Sequence, residues 1–343
     1  MKIIYTILIL LLAILASSFY VQLFCTATPL PLKLPKGWPT PNKNYFANNS
    51  ITEQGFQLGR KLFYDGRLSK DGNFACASCH QQFAAFSTYD HDFSHGFNNG
   101  FTTRNAPTLV NLVWMNGFHW DGGINHIEVQ PLAPLTAPNE MAETLQNVLL
   151  KINADAVYKK MFVAAFGPGT ITSQKFLKAL AQFTGSIISC NSKYDMVING
   201  QATFTVSEQM GYTFFKANCN TCHAEPLFTD NSYHNIGLNS NARLHDKGRL
   251  GITGLQIDSL KFKVPTLRNI MVTAPYMHDG RFTTIGQVIE HYKSGINFKQ
   301  PNIDTALHNG LQITMQQKLD LLAFLYTLKD DELLTNKRFG PPN

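Results

Sequence analysis

The most constraining feature of the chain is a five-residue pattern that occurs twice. Cys76, Cys79 and His80 stand in the spacing C-x-x-C-H within "FACASCHQQF", and Cys219, Cys222 and His223 repeat it in "ANCNTCHAEP". Two thiols at this spacing can add to the two vinyl groups of a haem, and the histidine that follows can then reach the iron from one side. A thioredoxin-like redox pair has no need of the histidine, and a zinc site built from two C-x-x-C pairs normally keeps them within about twenty residues. Here the two pairs lie 143 residues apart. The spacing therefore predicts two covalent haem c groups, with His80 and His223 as iron ligands.

Such a chain must be assembled outside the cytoplasm, and its N-terminus agrees. Residues 3–24 form an apolar run behind Lys2, compatible with a signal peptide or a membrane anchor over 1–25. Cys25 closes that run and leaves two readings, lipidation or pairing with Cys190, while Cys190 on its own reads as a buried free thiol. The segment 26–50 holds five prolines between Pro29 and Pro41 and reads as an extended tether. The net charge of +6 is scattered, with no basic run of the kind that binds nucleic acid.

Helical periodicity marks 52–63, 141–166, 173–188, 207–217 and 315–328. Long stretches rich in Gly, Asn, Pro and His separate these segments, as expected where a porphyrin replaces much of a side-chain core. The fold class is mainly α, with two c-type cytochrome domains: 51–190 around the first motif and 200–335 around the second. The polar, turn-rich "NSKYDMVINGQATFT" is the expected boundary between them.

An electron carrier needs two well-ligated irons, whereas an enzyme needs one open iron face with groups nearby that handle protons. The stretch "FHWDGGINHIEVQPLAPLTAPNEMAE" supplies Trp120, Gln130, Pro134 and Glu140. Taken alone, Trp120 reads as core, and Glu140 as a helix N-terminal carboxylate behind Asn139 as cap.

The ordered set C-x-x-C-H, "RNAPTLVN", "WDGG", "QPLAPLTAPNEM", C-x-x-C-H, "KVPTLRNI", "TAPYMHDG" and "LLAFLYTL" resembles the bacterial dihaem cytochrome c peroxidase family, which includes MauG-type enzymes. The resemblance covers roughly residues 40–330. It implies a peroxidatic haem on His80 and an electron-receiving haem on His223, with Trp120 between them. Ten, fourteen and twenty residues beyond that tryptophan it implies Gln130, Pro134 and Glu140 in the peroxide pocket, with Glu140 as acid and base. It implies a calcium ion held by Asn105, Thr273 and Pro275, by side-chain and carbonyl oxygens suited to a hard cation.

Two ligand positions match less closely. On the second haem, Tyr292 stands at the position of the far-side ligand, with Met277 as the alternative. On the first, His95 is the candidate for a resting-state ligand, with His91 nearby, yet His95 stands two residues further from Asn105 than the family spacing requires. The resemblance implies a periplasmic enzyme that reduces hydrogen peroxide to water with electrons from a small cytochrome c or a cupredoxin, and a homodimer is common in the family. Two other functions remain open at this point: a MauG-like oxidase that modifies a partner protein, and a dihaem electron-transfer cytochrome without peroxide chemistry.

Overall fold

The computed structural model describes residues 27–342, except 33, 42, 242 and 243. The expected signal peptide or anchor, and Cys25 with it, lie outside the described residues. Among those described, no helix is long and apolar enough to cross a membrane.

The fold is mainly helical, as the periodicity predicts. In chain order the helices are α1 (Glu53–Phe63), α2 (Cys76–Cys79), α3 (Leu132–Thr136), α4 (Leu145–Ala154), α5 (Ala156–Phe166) and α6 (Ser173–Thr184). They continue with α7 (Lys193–Ile198), α8 (Val206–Asn218), α9 (Leu250–Thr253), α10 (Ile285–Glu290), α11 (Met315–Tyr326) and α12 (Asp331–Thr335). One small antiparallel pair, β1 (Tyr233–His234) and β2 (Phe262–Lys263), sets Tyr233 opposite Lys263.

The helix ahead of each haem motif starts and packs by the same rules. Thr52 caps α1 by accepting the Gly55 N–H, and Thr205 caps α8 in a reciprocal box with Glu208. Each helix then crosses a later one closely at a glycine. A β-carbon at Gly59 of α1 would lie 2.0 Å from the Ala179 carbonyl oxygen of α6, and one at Gly211 of α8 would lie 1.9 Å from that of Asp320 in α11. Only glycine permits these approaches.

Buried apolar side chains gather into two main clusters. The first joins Phe56, Phe63, Phe86, Phe162, Phe176 and Phe183 with others from residues 45–187. The second joins Tyr194, Phe215, Phe228, Ile289, Phe324 and Leu328 with others from 194–328. The chain end returns to the first cluster: Leu333 and Leu334 of α12 pack into it, and Arg60 donates to the carbonyls of Lys337, Gly340 and Pro341.

Two local expectations change, and a third segment gains detail. The helix read over 141–166 begins only at Leu145, capped by Thr144, and breaks at Asp155, whose carboxylate accepts the Val157 and Tyr158 N–H groups and restarts it as α5. Competition of a short acidic side chain with the helix backbone explains the break. The Pro-rich segment is extended but not a free tether: Trp38 stacks edge-on with Trp114 at 5.0 Å, and the Tyr45 hydroxyl donates to the Met115 carbonyl. The polar boundary contains α7, whose Asp195 takes a two-pronged bond from the fully buried Arg268. Part of its polarity serves a satisfied internal ion pair.

Candidate active site

The first C-x-x-C-H sits on the single turn of α2. His80 Nδ1 lies 2.8 Å from the Phe86 carbonyl and donates to it, which leaves Nε2 as the ring's free ligating nitrogen. Burial pushes this imidazole down to about 4, so it is neutral. Burial also pushes the Cys76 thiol up to about 12, the opposite of what an exchange-active pair needs. Among the described residues no group of three His, Cys, Asp or Glu side chains is placed to hold a metal ion.

Cys76, Cys79 and His80 line one wall of a cavity of about 640 Å³. Gln130, Pro134, Glu140, Trp120 and His95 line the same cavity. Its volume suits a bound cofactor, and the thiols and the free imidazole nitrogen fit covalent haem attachment. Residues spread over 65 positions of sequence are thus brought together as the motif order implies.

Glu140 is not at a helix start. It lies in the turn between α3 and α4, and Asn139 caps nothing: its amide donates to the Phe101 carbonyl at 2.6 Å. The Glu140 carbonyl accepts the Phe97 N–H at 2.7 Å, which fixes the backbone, while its carboxyl has no hydrogen-bond partner among the described residues. Burial alone raises its pKa. A half-buried, unpaired carboxyl facing a cavity holds its proton more tightly than a free glutamate and can pass it to and from a bound molecule.

His95 is exposed at the cavity's rim, its ring 4.6 Å from Phe101 and 5.2 Å from His91.

The second motif follows α8 directly. His223 Nδ1 faces the Phe228 and Pro265 carbonyls at 3.3 and 3.2 Å, so again one ring nitrogen is held by the backbone. Tyr292 lies in a π-helical turn, His291–Gly295, a form that recurs at functional sites. The turn is pinned by His291 Nε2 on the Ile236 carbonyl at 2.9 Å. Burial raises the pKa of the Tyr292 phenol, and Cys219 and Cys222 lie within electrostatic reach of it. Met277 sits on a neighbouring turn with a left-handed φ of +74°.

Trp120 occupies the join between the two halves. Its indole N–H donates to the Asn105 carbonyl at 2.8 Å, and its carbonyl accepts the Lys263 N–H at 2.7 Å. Its ring lies 6.5 Å from His278, which stacks on Phe262 at 3.7 Å. Asn105 is buried and donates its backbone N–H to the His278 carbonyl at 2.8 Å, three residues beyond Pro275. Cys190, read as a buried thiol, is half-buried and free.

The sequence reading passed over the charged edge of the first cavity. Arg104 bonds Asp246 through Nε and Nη2 at 2.7 and 2.8 Å and Asp121 through Nη1 at 2.5 Å. Lys263 and His119 line the cavity beside them. The available signal was their place inside or beside the motif blocks: Arg104 opens "RNAP", Lys263 opens "KVPT", and His119 precedes "WDGG".

Residues 53–203 match the family model described as di-haem cytochrome c peroxidase. The chain is 31% identical over 309 residues to the methylamine utilization protein MauG of Methylophilus methylotrophus, covering 86% of this chain and 87% of that one. It is 33% identical over 239 residues to the cytochrome c551 peroxidase of Nitrosomonas europaea, covering 68% and 71%. Among solved structures, a MauG-like protein associated with microbial copper homeostasis superposes with a TM-score of 0.81 at 34% identity, covering 91% of this chain and 99% of that one.

Proposed function

Since this chain belongs to the di-haem cytochrome c peroxidase family, MauG proteins included, we propose that it is a periplasmic peroxidase that reduces hydrogen peroxide to water at the first cavity. The family implies two haem c groups, and Cys76, Cys79 and His80 with Cys219, Cys222 and His223 are the residues that would hold them. The observation that carries the reading is the unpaired, half-buried Glu140 carboxyl on the same cavity as His80, Gln130 and Pro134.

When bound, the first haem supplies the redox centre for breaking the O–O bond. The protein supplies the proton handling. Glu140 takes the proton from one oxygen of hydrogen peroxide and gives it to the other as that oxygen leaves as water. Gln130 orients the peroxide by hydrogen bonding, and Pro134 keeps that side of the cavity free of competing donors. Two protons and two electrons complete the reduction to two waters. A small cytochrome c or a cupredoxin delivers the electrons at the second site, and Trp120 connects the sites through its contacts with Asn105 and Lys263. Asn105, with the carbonyls of Thr273 and Pro275, is the proposed calcium site that fixes this join.

Purified two-haem protein, supplied with a reduced small cytochrome c, should consume peroxide in step with donor oxidation. Glu140→Gln should keep both haems attached and lose turnover; full turnover in that variant would remove the role given to Glu140.

One observation favours a second reading. The buried Tyr292 phenol is within electrostatic reach of Cys219 and Cys222, and a phenolate on the second haem would stabilise its ferric state and weaken it as a high-potential acceptor. That favours a MauG-like oxidation of a partner protein. Rapid reaction with peroxide but no turnover of the small donor would support it.

A further inference from the structure

We propose that the charged edge of the first cavity is a carboxylate seat assembled from both halves of the chain, and that Lys263 and His119 close on a propionate of the first haem. The inference rests on the reading that this cavity holds a haem. It assigns to that group two residues outside the attachment and peroxide-handling sets.

Donors and acceptors on this edge do not balance. Both acids are already engaged. Asp246 accepts Arg104 through both oxygens and also takes the Gly248 N–H at 2.9 Å. Asp121 accepts Arg104 on one oxygen and the Gly123 N–H at 2.9 Å on the other. Arg104 is thereby matched. Lys263 is not: among the described residues its ammonium makes one hydrogen bond, to the Gly117 carbonyl at 3.0 Å, and it has no carboxylate of its own. Burial drives its pKa down to about 8, with Asp121 the one charge that opposes the fall.

His119 shows the same shortage. One ring nitrogen serves the Gln130 backbone carbonyl, and Nε2 is buried with no partner. A buried polar atom left unpaired is costly, so native structures supply a partner. The Lys263 ammonium, with spare donors on this cavity, calls for an anion with several acceptor lone pairs, and beside such an anion His119 takes a second proton and donates to it from Nε2. A carboxylate is that anion.

The seat is also bipartite. His119 and Arg104 come from the first half, Lys263 and Asp246 from the second. A propionate held there would tie the halves at the point where Trp120 joins them, through the Lys263 N–H on the Trp120 carbonyl.

The test uses the holoprotein, with haem content read by mass and each haem's midpoint potential read by spectroelectrochemistry, with and without added acetate. Removing a cation next to a haem disfavours its reduced form. Lys263→Met should therefore lower the first-site potential and leave the second unchanged. Lys263→Arg should restore it, and His119→Gln should lower it by less. Acetate should change nothing in the wild type if a propionate fills the seat. Equal first-site potentials in wild type, Lys263→Met and His119→Gln would overturn the proposal, as would a shift confined to the second haem. An acetate shift in the wild type that is lost in Lys263→Met would assign the seat to a free carboxylate instead and also overturn it. Absence of the first haem by mass would be a failure of the peroxidase reading itself, distinct from these outcomes. If Lys263→Met does not fold, His119→Gln carries the same comparison.

Discussion

The two C-x-x-C-H sites share a helix crossing and a way of holding the histidine, and differ in what faces them. Each follows a threonine-capped helix that crosses a later helix at a glycine, and each holds its histidine by Nδ1 against backbone carbonyls. Opposite His80 lies a cavity of about 640 Å³ with an unpaired carboxyl. On the second site a buried tyrosine phenol stands within electrostatic reach of the two cysteines instead. A common attachment unit is thus directed to different work by what faces it, and that difference can be broken residue by residue.

The largest effect should come from Glu140→Gln, which removes the proton carrier and leaves the shape. Loss of general acid and base catalysis predicts a fall in peroxide turnover of about 10²–10⁴-fold, read as steady-state donor oxidation with both haems present by mass. Tyr292→Phe should come next, making the second site resemble the first. It should give the oxidised protein an additional high-spin optical signal, while Tyr292→Met should raise the second-site potential. An unchanged spectrum in Tyr292→Phe would take the phenol away from the second iron.

Trp120→Phe tests the connection rather than either site. It should slow electron passage between the haems in rapid-mixing experiments. Loss of the indole bond to the Asn105 carbonyl should cost only about 0.5–1.5 kcal/mol in denaturant unfolding. The smallest effect concerns pH. Glu140 has its folded pKa raised above the unfolded value, so the folded state holds the extra proton between the two values and stability falls as pH rises through that window. A permanently neutral glutamine side chain in its place lacks this loss. Glu140→Gln should match the wild type in urea at about pH 4 and exceed it at about pH 7. In the wild type, the acid limb of turnover should lie above the ordinary glutamate range.

Much of this was legible in the sequence because covalent attachment needs fixed spacing, and fixed spacing survives in one dimension. The motifs, the helices around them and the offsets to Gln130, Pro134 and Glu140 all belong to that kind. What escaped depends on partners far along the chain. Asp155 breaks a helix because its carboxylate finds two backbone donors, and the polarity of "NSKYDMVINGQATFT" does not show on its own that Asp195 pairs with Arg268. Trp38 belongs with Trp114, 76 residues away, so prolines alone suggested a tether. Lys263 and His119 each look ordinary in their own segment, and their shortage of partners exists only where the two halves meet.

The central claim, one open site and one closed, is tested most directly by titrating the oxidised two-haem protein with cyanide and counting the haems that respond optically. One equivalent per chain, taken up by the haem on His80, is the predicted result. None would mean that both irons are fully ligated at rest, which contradicts the claim and fits an electron carrier; two would mean that Tyr292 does not close the second site.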